Sequence, residues 1–208
     1  MHSELTFLVS GIIFGLSAGI SPGPLLILVI SETLQYNMKE GIKVACAPLI
    51  TDVPIVLATT LIFSRFFHFE PLMGLISLCG ALFIGYLGYK AITAKGVEIT
   101  AQSIEPQSFR KGIVTNFLNP HPYMFWFIVG APTVIKALDL NLFSALLFVG
   151  GFYTCIIGSK VIVATTVERS RFFIKSTIYI YILKFLGALL LVFSVIFLLD
   201  GLTFLGVL

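Results

Sequence analysis

The chain has 208 residues, of which 58% are hydrophobic and 11% charged, with a net charge of +3 and a mean hydropathy of +1.04. A typical soluble domain carries about 25% charged residues, so an ordinary soluble globule is excluded. A disordered tail and a nucleic-acid binder are excluded too, since both need more charge.

A helix needs about 20 apolar residues to cross a hydrocarbon core ~30 Å thick. In chain order, charge-poor stretches of that size run over 5–31, 41–63, 71–94, 112–135, 140–167 and 178–199. Their apolar residues go all round the helix, which suits lipid and not one buried face. The first stretch lacks a basic flank and exceeds a signal-peptide core, so it stays as a span. The expected fold is therefore an all-α polytopic membrane protein of six transmembrane helices. Cys46, Cys79 and Cys155 lie in apolar stretches without CxxC spacing; they read as small packing residues, with no metal site.

The connections after stretches one, three and five hold Lys39, Lys43, Lys90, Lys95, Arg110, Lys111, Arg169, Arg171 and Lys175, whereas the opposite side holds only Arg65 and Lys136. By the positive-inside rule the basic connections are cytoplasmic and both termini extracytoplasmic. Lys160 and Lys184 read as side chains snorkelling from within their spans to the basic interface.

The polar stretch 95–110 divides the chain into a first repeat, about 1–94, and a second, about 111–208. Ser21-Pro22-Gly23-Pro24 in span one is echoed by Asn119-Pro120-His121-Pro122 in span four, and Gly80-Ala81-Leu82 by Gly187-Ala188-Leu189. With three spans in each half, the second half is inserted upside down, giving the 3+3 inverted repeat of many secondary transporters. Strict symmetry would place the two interruptions at mirrored depths, yet both lie near the basic ends of their spans.

Proline removes an N–H and frees the carbonyl four residues earlier. The carbonyls of Ala18 and Ile20, and of Asn116 and Leu118, are thus expected to be free. Such breaks persist in a membrane only where protein, water or a ligand satisfies them. Two facing breaks offer carbonyls to an ammonium, and helix N-termini near Pro24 and Pro122 to a carboxylate. That is a receptor for a zwitterion; the alternative is a pair of kinks satisfied by neighbouring hydroxyls. Asp52, near the middle of span two between Pro48 and Pro54, is the one carboxylate placed deep in the membrane. It reads as a substrate or proton group, or else as a counter-charge for Lys160 or Lys184. His121, within the second break, is a second proton candidate. The candidate substrate-binding residues are Ser21, Pro22, Gly23, Pro24, Asp52, Asn116, Asn119 and Pro120. Gly11, Gly15 and Gly19 form a doubled GxxxG packing face, and Tyr36, Tyr89 and Tyr179 read as interfacial anchors.

Residues 17–24 (SAGISPGP), Gly41 and Thr51-Asp52 resemble the first half of the LysE/RhtB amino-acid exporter family. Residues 109–126 (FRKGIVTNFLNPHPYMFW) and 183–194 (LKFLGALLLVFS) resemble its second half. The resemblance implies a six-span inner-membrane exporter of amino acids or close derivatives, driven by the proton motive force, with substrate held between the breaks. The chain departs from the family pattern at His121, where many members carry lysine, and at Ala47-Pro48, where many are glycine-rich. The implied partners are a small-molecule substrate and lipid, with a homodimer allowed and no cofactor. Competing readings are a metal or small-ion exporter, an intramembrane thiol oxidoreductase and a passive channel. Spans one and four contain no cysteine, and no nucleotide motif is present.

Overall fold

Proline decides where three of the helices begin, those starting at Pro24, Pro48 and Pro120. The computed structural model describes residues 2–63, 70–93, 106–171 and 176–207, and most of them lie in α-helices. Helix α1 (His2–Ile20) stops before Pro22, and α2 (Pro24–Gln35) restarts on Pro24, whose missing N–H costs nothing at a first helical position. The axis bends by 61° between them, so the first interruption falls where the prolines place it. Helix α3 (Met38–Ala45) is capped by Asn37, whose side chain accepts from the Glu40 N–H.

Helix α4 (Pro48–Phe63) again starts on a proline. The expected continuous span over 41–63 is therefore corrected: the chain turns at Cys46 and Ala47. Pro48 has no N–H for the Val44 carbonyl, which instead accepts from the Ala47 N–H at 3.0 Å. Asp52 consequently lies just past the first turn of α4, next to the interruption between α3 and α4. Helix α5 covers Glu70–Thr93, and α6 (Ser108–Phe117) ends at the second proline pair. Beyond it α7 (Pro120–Phe125), a π segment (Trp126–Gly130) and α8 (Ala131–Leu140) follow without a gap. Two long helices, α9 (Leu142–Arg171) and α10 (Ser176–Phe204), complete the fold.

Among the described residues, four stretches are long and apolar enough to cross a membrane: Glu70–Thr93, Pro120–Leu140, Leu142–Ser170 and Ile180–Phe204. The bent α1–α2 pair makes a fifth if it is one span. Large apolar side chains face outward. Leu5, Val9, Ile13, Leu16 and Ile20 form an exposed stripe along α1, while Glu32, Thr51, Asp52, Asn116 and Lys160 are buried. A soluble fold would reverse that distribution.

Small residues set the two closest helix contacts. A Cβ on Gly11, Gly15 or Gly19 would run into Phe148, Phe152 or Ser159 of α9. The numbers rise together, so α1 and α9 are parallel, and the GxxxG face serves packing as its spacing suggests. On the other side Gly88 meets Gly187, Gly74 meets Gly201, and Ser194 Oγ donates to the Ala81 carbonyl at 2.7 Å. There one number rises as the other falls, so α5 and α10 are antiparallel. Gly15→Ala should lower the thermal unfolding midpoint in detergent by the equivalent of about 1–3 kcal/mol, because backbone cannot yield as a side chain does. Gly150→Ala, with nothing within 4 Å of the added carbon, should leave it unchanged or raise it slightly.

The same contacts sort the ends of the bundle. Lys111 pairs with Glu32 and Thr165 meets Met38, which gathers the end of α2, the starts of α3 and α6, and the end of α9. Lys39, Lys43, Lys111 and Arg169 belong to that end. Glu4 accepts from Asn141 at 3.3 Å at the opposite end, where α1 starts and α9 begins. Arg65, Lys95, Lys175, the side chains of Arg171 and Tyr179, and most of the 95–110 connection lie outside the described residues. Of the other tyrosines read as anchors, Tyr36 ends α2 with Lys111 5.5 Å above its ring, and Tyr89 is exposed. Cys46 and Cys155 are half-buried, and Cys79 is exposed.

Candidate functional site

A cavity of about 390 Å³ opens where the helix interruptions meet, a volume at the small end of ligand sites. The α1–α2 break contributes Ser21, Pro22 and Gly23; the start of α4 contributes Pro48 and Asp52; α6 contributes Asn116; and the second break contributes His121 and Pro122. Of the expected site residues, Pro24, Asn119 and Pro120 do not line it. Pro24 and Pro120 are buried at helix starts, and the Asn119 side chain is turned to the His121 N–H at 3.0 Å.

Asp52 is 3% exposed and held from three directions. Its Oδ1 accepts from Asn116 Nδ2 at 3.0 Å, and its Oδ2 accepts from Tyr153 Oη at 3.2 Å and Trp126 Nε1 at 3.4 Å. Asn116 also donates to Thr51 Oγ1 at 2.6 Å, and Thr51 Oγ1 in turn donates to the Ala47 carbonyl at 3.1 Å. Every side chain gathered on the carboxylate is a donor, which suits an acceptor-only group. Sequence reasoning missed Trp126 and Tyr153 as its partners. Trp126 opens the π segment, a helix irregularity frequent at functional sites. A Cβ on Gly130 would collide with the indole, so that glycine makes room for the ring.

Lys160 corrects a second expectation. It does not snorkel to the interface: it is 3% exposed, lines the cavity and donates to the Ala18 and Gly19 carbonyls, each at 3.4 Å. Ala18 is one of the carbonyls that Pro22 was expected to free. The chain's own ammonium, and not a ligand's, is placed on it. The parallel packing of α9 on α1 brings Lys160 there. Asp52 and Lys160 share the cavity without forming an ion pair, and Lys184 is exposed on α10, so neither lysine is paired with Asp52.

The second break satisfies two of its carbonyls from within. Asn116 O accepts from the Asn119 N–H at 3.2 Å, and Phe117 O accepts from Tyr123 Oη at 2.9 Å. The helix beyond it starts at Pro120, not near Pro122. The His121 ring stands edge-on to Phe197, centroids 5.7 Å apart. Much of the remaining cavity wall is aromatic: Phe125 stacks on Phe152 at 5.0 Å, and Phe152 meets Trp126 edge-on at 5.5 Å. Among the described residues no three His, Cys, Asp or Glu side chains come together as metal ligands.

Between this cavity and the basic end lies a buried ion pair. Glu32 of α2, 2% exposed, accepts from Lys111 Nζ at 2.6 Å and Ser108 Oγ at 2.5 Å, both from α6. It joins the first half of the chain to the second.

Comparison with known families adds one match: the family model described as LysE type translocator matches residues 16–201. No solved structure matches the chain.

Proposed function

The chain belongs to the LysE type translocator family, membrane transporters of amino acids or related compounds, and on that premise we propose that it exports amino acids or close derivatives through the cavity between its helix breaks. The observation that carries the site is the placing of one buried carboxylate, Asp52, and one buried ammonium, Lys160, in a single small cavity bounded by both proline breaks. Ser21, Pro22, Gly23 and Asn116 line the substrate space, while Pro24, Asn119 and Pro120 shape the breaks. Export is driven by the proton motive force, with Asp52 and His121 as the proton groups.

The proposed architecture is six spans in a 3+3 inverted repeat, about 1–94 and 111–208, joined by a cytoplasmic linker over about 95–110. Helices α3 and α4 serve as the second span, and α6 to α8 as the fourth. The helix directions support this. Spans one and five must run the same way and spans three and six opposite ways, as α1 with α9 and α5 with α10 do. The repeat is not strictly mirrored, because the 12-residue α2 and the 10-residue α6 both put their break nearer the basic end. Both termini are extracytoplasmic.

Proteoliposomes under an imposed pH gradient should accumulate labelled amino acids only when the gradient is present. Accumulation that ignores the gradient would refute proton coupling, and no flux of any amino acid would refute the site. On a cysteine-free background, Asp139→Cys should react with an impermeant maleimide in intact cells and Gln107→Cys only after permeabilisation. The reverse pattern would invert the topology.

A further inference from the structure

We infer that this cavity takes neutral amino acids with an apolar side chain, and that Lys160 is the residue that receives their carboxylate. The inference rests on the reading of the cavity as an amino-acid site and narrows it. Lys160 has three N–H donors, and two are directed at the Ala18 and Gly19 carbonyls. Those carbonyls form the negative end of α1, a favourable place for a cation. A substrate ammonium is thereby excluded from the position that the first break would otherwise offer it. The third donor and the net positive charge are left for an anion.

That anion is not supplied by Asp52, which does not pair with Lys160 and is already turned to Asn116, Trp126 and Tyr153. A zwitterion completes both ends: its carboxylate meets Lys160, and its ammonium meets the carboxylate of Asp52. The first turn of α2 has no side-chain cap, and Leu25 and Leu26 of that turn line the cavity, so their N–H groups are available to the same carboxylate as secondary donors. The cavity then remains as neutral as it was when empty. A substrate with a second cation would sit beside Lys160 with no second carboxylate in the lining to balance it. What remains for the side chain is Leu26, Phe125, Phe152, Ile156 and Phe193. That wall rewards apolar surface and offers a charged terminus no partner.

Trp126 is the chain's single tryptophan and lies in the cavity wall, so its fluorescence reports occupancy directly. Protein in lipid nanodiscs would be titrated with leucine, phenylalanine and lysine. Two more probes are 3-methylbutylamine, which is leucine without its carboxylate, and 4-methylpentanoate, which is leucine without its ammonium. Leucine and phenylalanine should bind at least tenfold more tightly than lysine and than either half-ligand. Lys160→Gln should weaken leucine at least tenfold and leave 3-methylbutylamine no weaker, since the Ala18 and Gly19 carbonyls are then open to its ammonium, and Lys160→Arg should recover part of the leucine loss. Lysine binding within threefold of leucine overturns the inference, a result that needs no variant to fold. Equal weakening of leucine and the amine by Lys160→Gln overturns the role of Lys160. If amino acids of every class bind alike, only this narrowing falls. If none binds and none is transported, the amino-acid reading of the cavity falls with it.

Discussion

Asp52→Asn is expected to weaken amino-acid binding ten- to a hundredfold and to abolish accumulation against a gradient. The affinity loss corresponds to about 1.5–3 kcal/mol for one charge-assisted hydrogen bond. The size of the side chain is unchanged, but its hydrogen bonding is not. Donors approach both oxygens, Asn116 on one and Trp126 and Tyr153 on the other. An amide offers one oxygen and one NH2, so one side must set donor against donor. Turning the NH2 toward Tyr153 still opposes the indole N–H, which can only donate. Turning it toward Asn116 forces that amide to flip, and Thr51 Oγ1, which accepts from Asn116 Nδ2 at 2.6 Å, must then turn its proton from the Ala47 carbonyl to keep the contact. The deciding measurement is Trp126 fluorescence titration beside proton-driven flux, both normalised to folded protein. Lost accumulation with preserved exchange would make Asp52 a proton carrier only. A lower unfolding midpoint with affinity and flux unchanged would make it a structural acceptor and remove it from the mechanism.

What the sequence disclosed, and what it hid, follows the range of the forces involved. Both proline interruptions were legible because a missing N–H acts within four residues. The spans matching α5, α9 and α10 were legible because apolar length is also local. The turn before Pro48 was hidden inside an unbroken apolar run, although the proline itself was in plain view. Ala18 was rightly expected to lose its helical partner, but the group that satisfies it comes from Lys160, 142 residues away. Nothing near Lys160 in the chain announces that; its linear position near a basic connection suggested the interface instead. Trp126 and Tyr153 were hidden for the same reason. Their meeting with Asp52 requires the π segment, α4 and α9 to be packed together first. The glycine spacing on α1 did carry long-range information, because a small-residue stripe has no other use on a lipid-facing helix. It marked that face for a close partner, though the residues that fill it, Phe148, Phe152 and Ser159, form no matching stripe that would have pointed to α9.

The Glu32–Lys111 pair should respond unequally to loss of its two members. Glu32 has a side-chain exposure of 3% and Lys111 one of 28%. Lys111→Met strands a buried carboxylate with only the Ser108 hydroxyl, and should cost about 3–5 kcal/mol, the range for an orphaned buried charge. Glu32→Gln is milder, at about 1–3 kcal/mol. The amide can still accept from Ser108, and the ammonium of Lys111 can turn toward water or remain over the Tyr36 ring, 5.5 Å away. Replacing both residues by methionine should cost less than Lys111→Met alone, because no charge is then left unpaired. Thermal unfolding of the three variants in one detergent measures the order directly. Equal losses from the two single changes, or a double variant as poor as their sum, would show that the pair does not couple α2 to α6. The expected order would instead identify it as the tie between the two halves of the chain at the basic end.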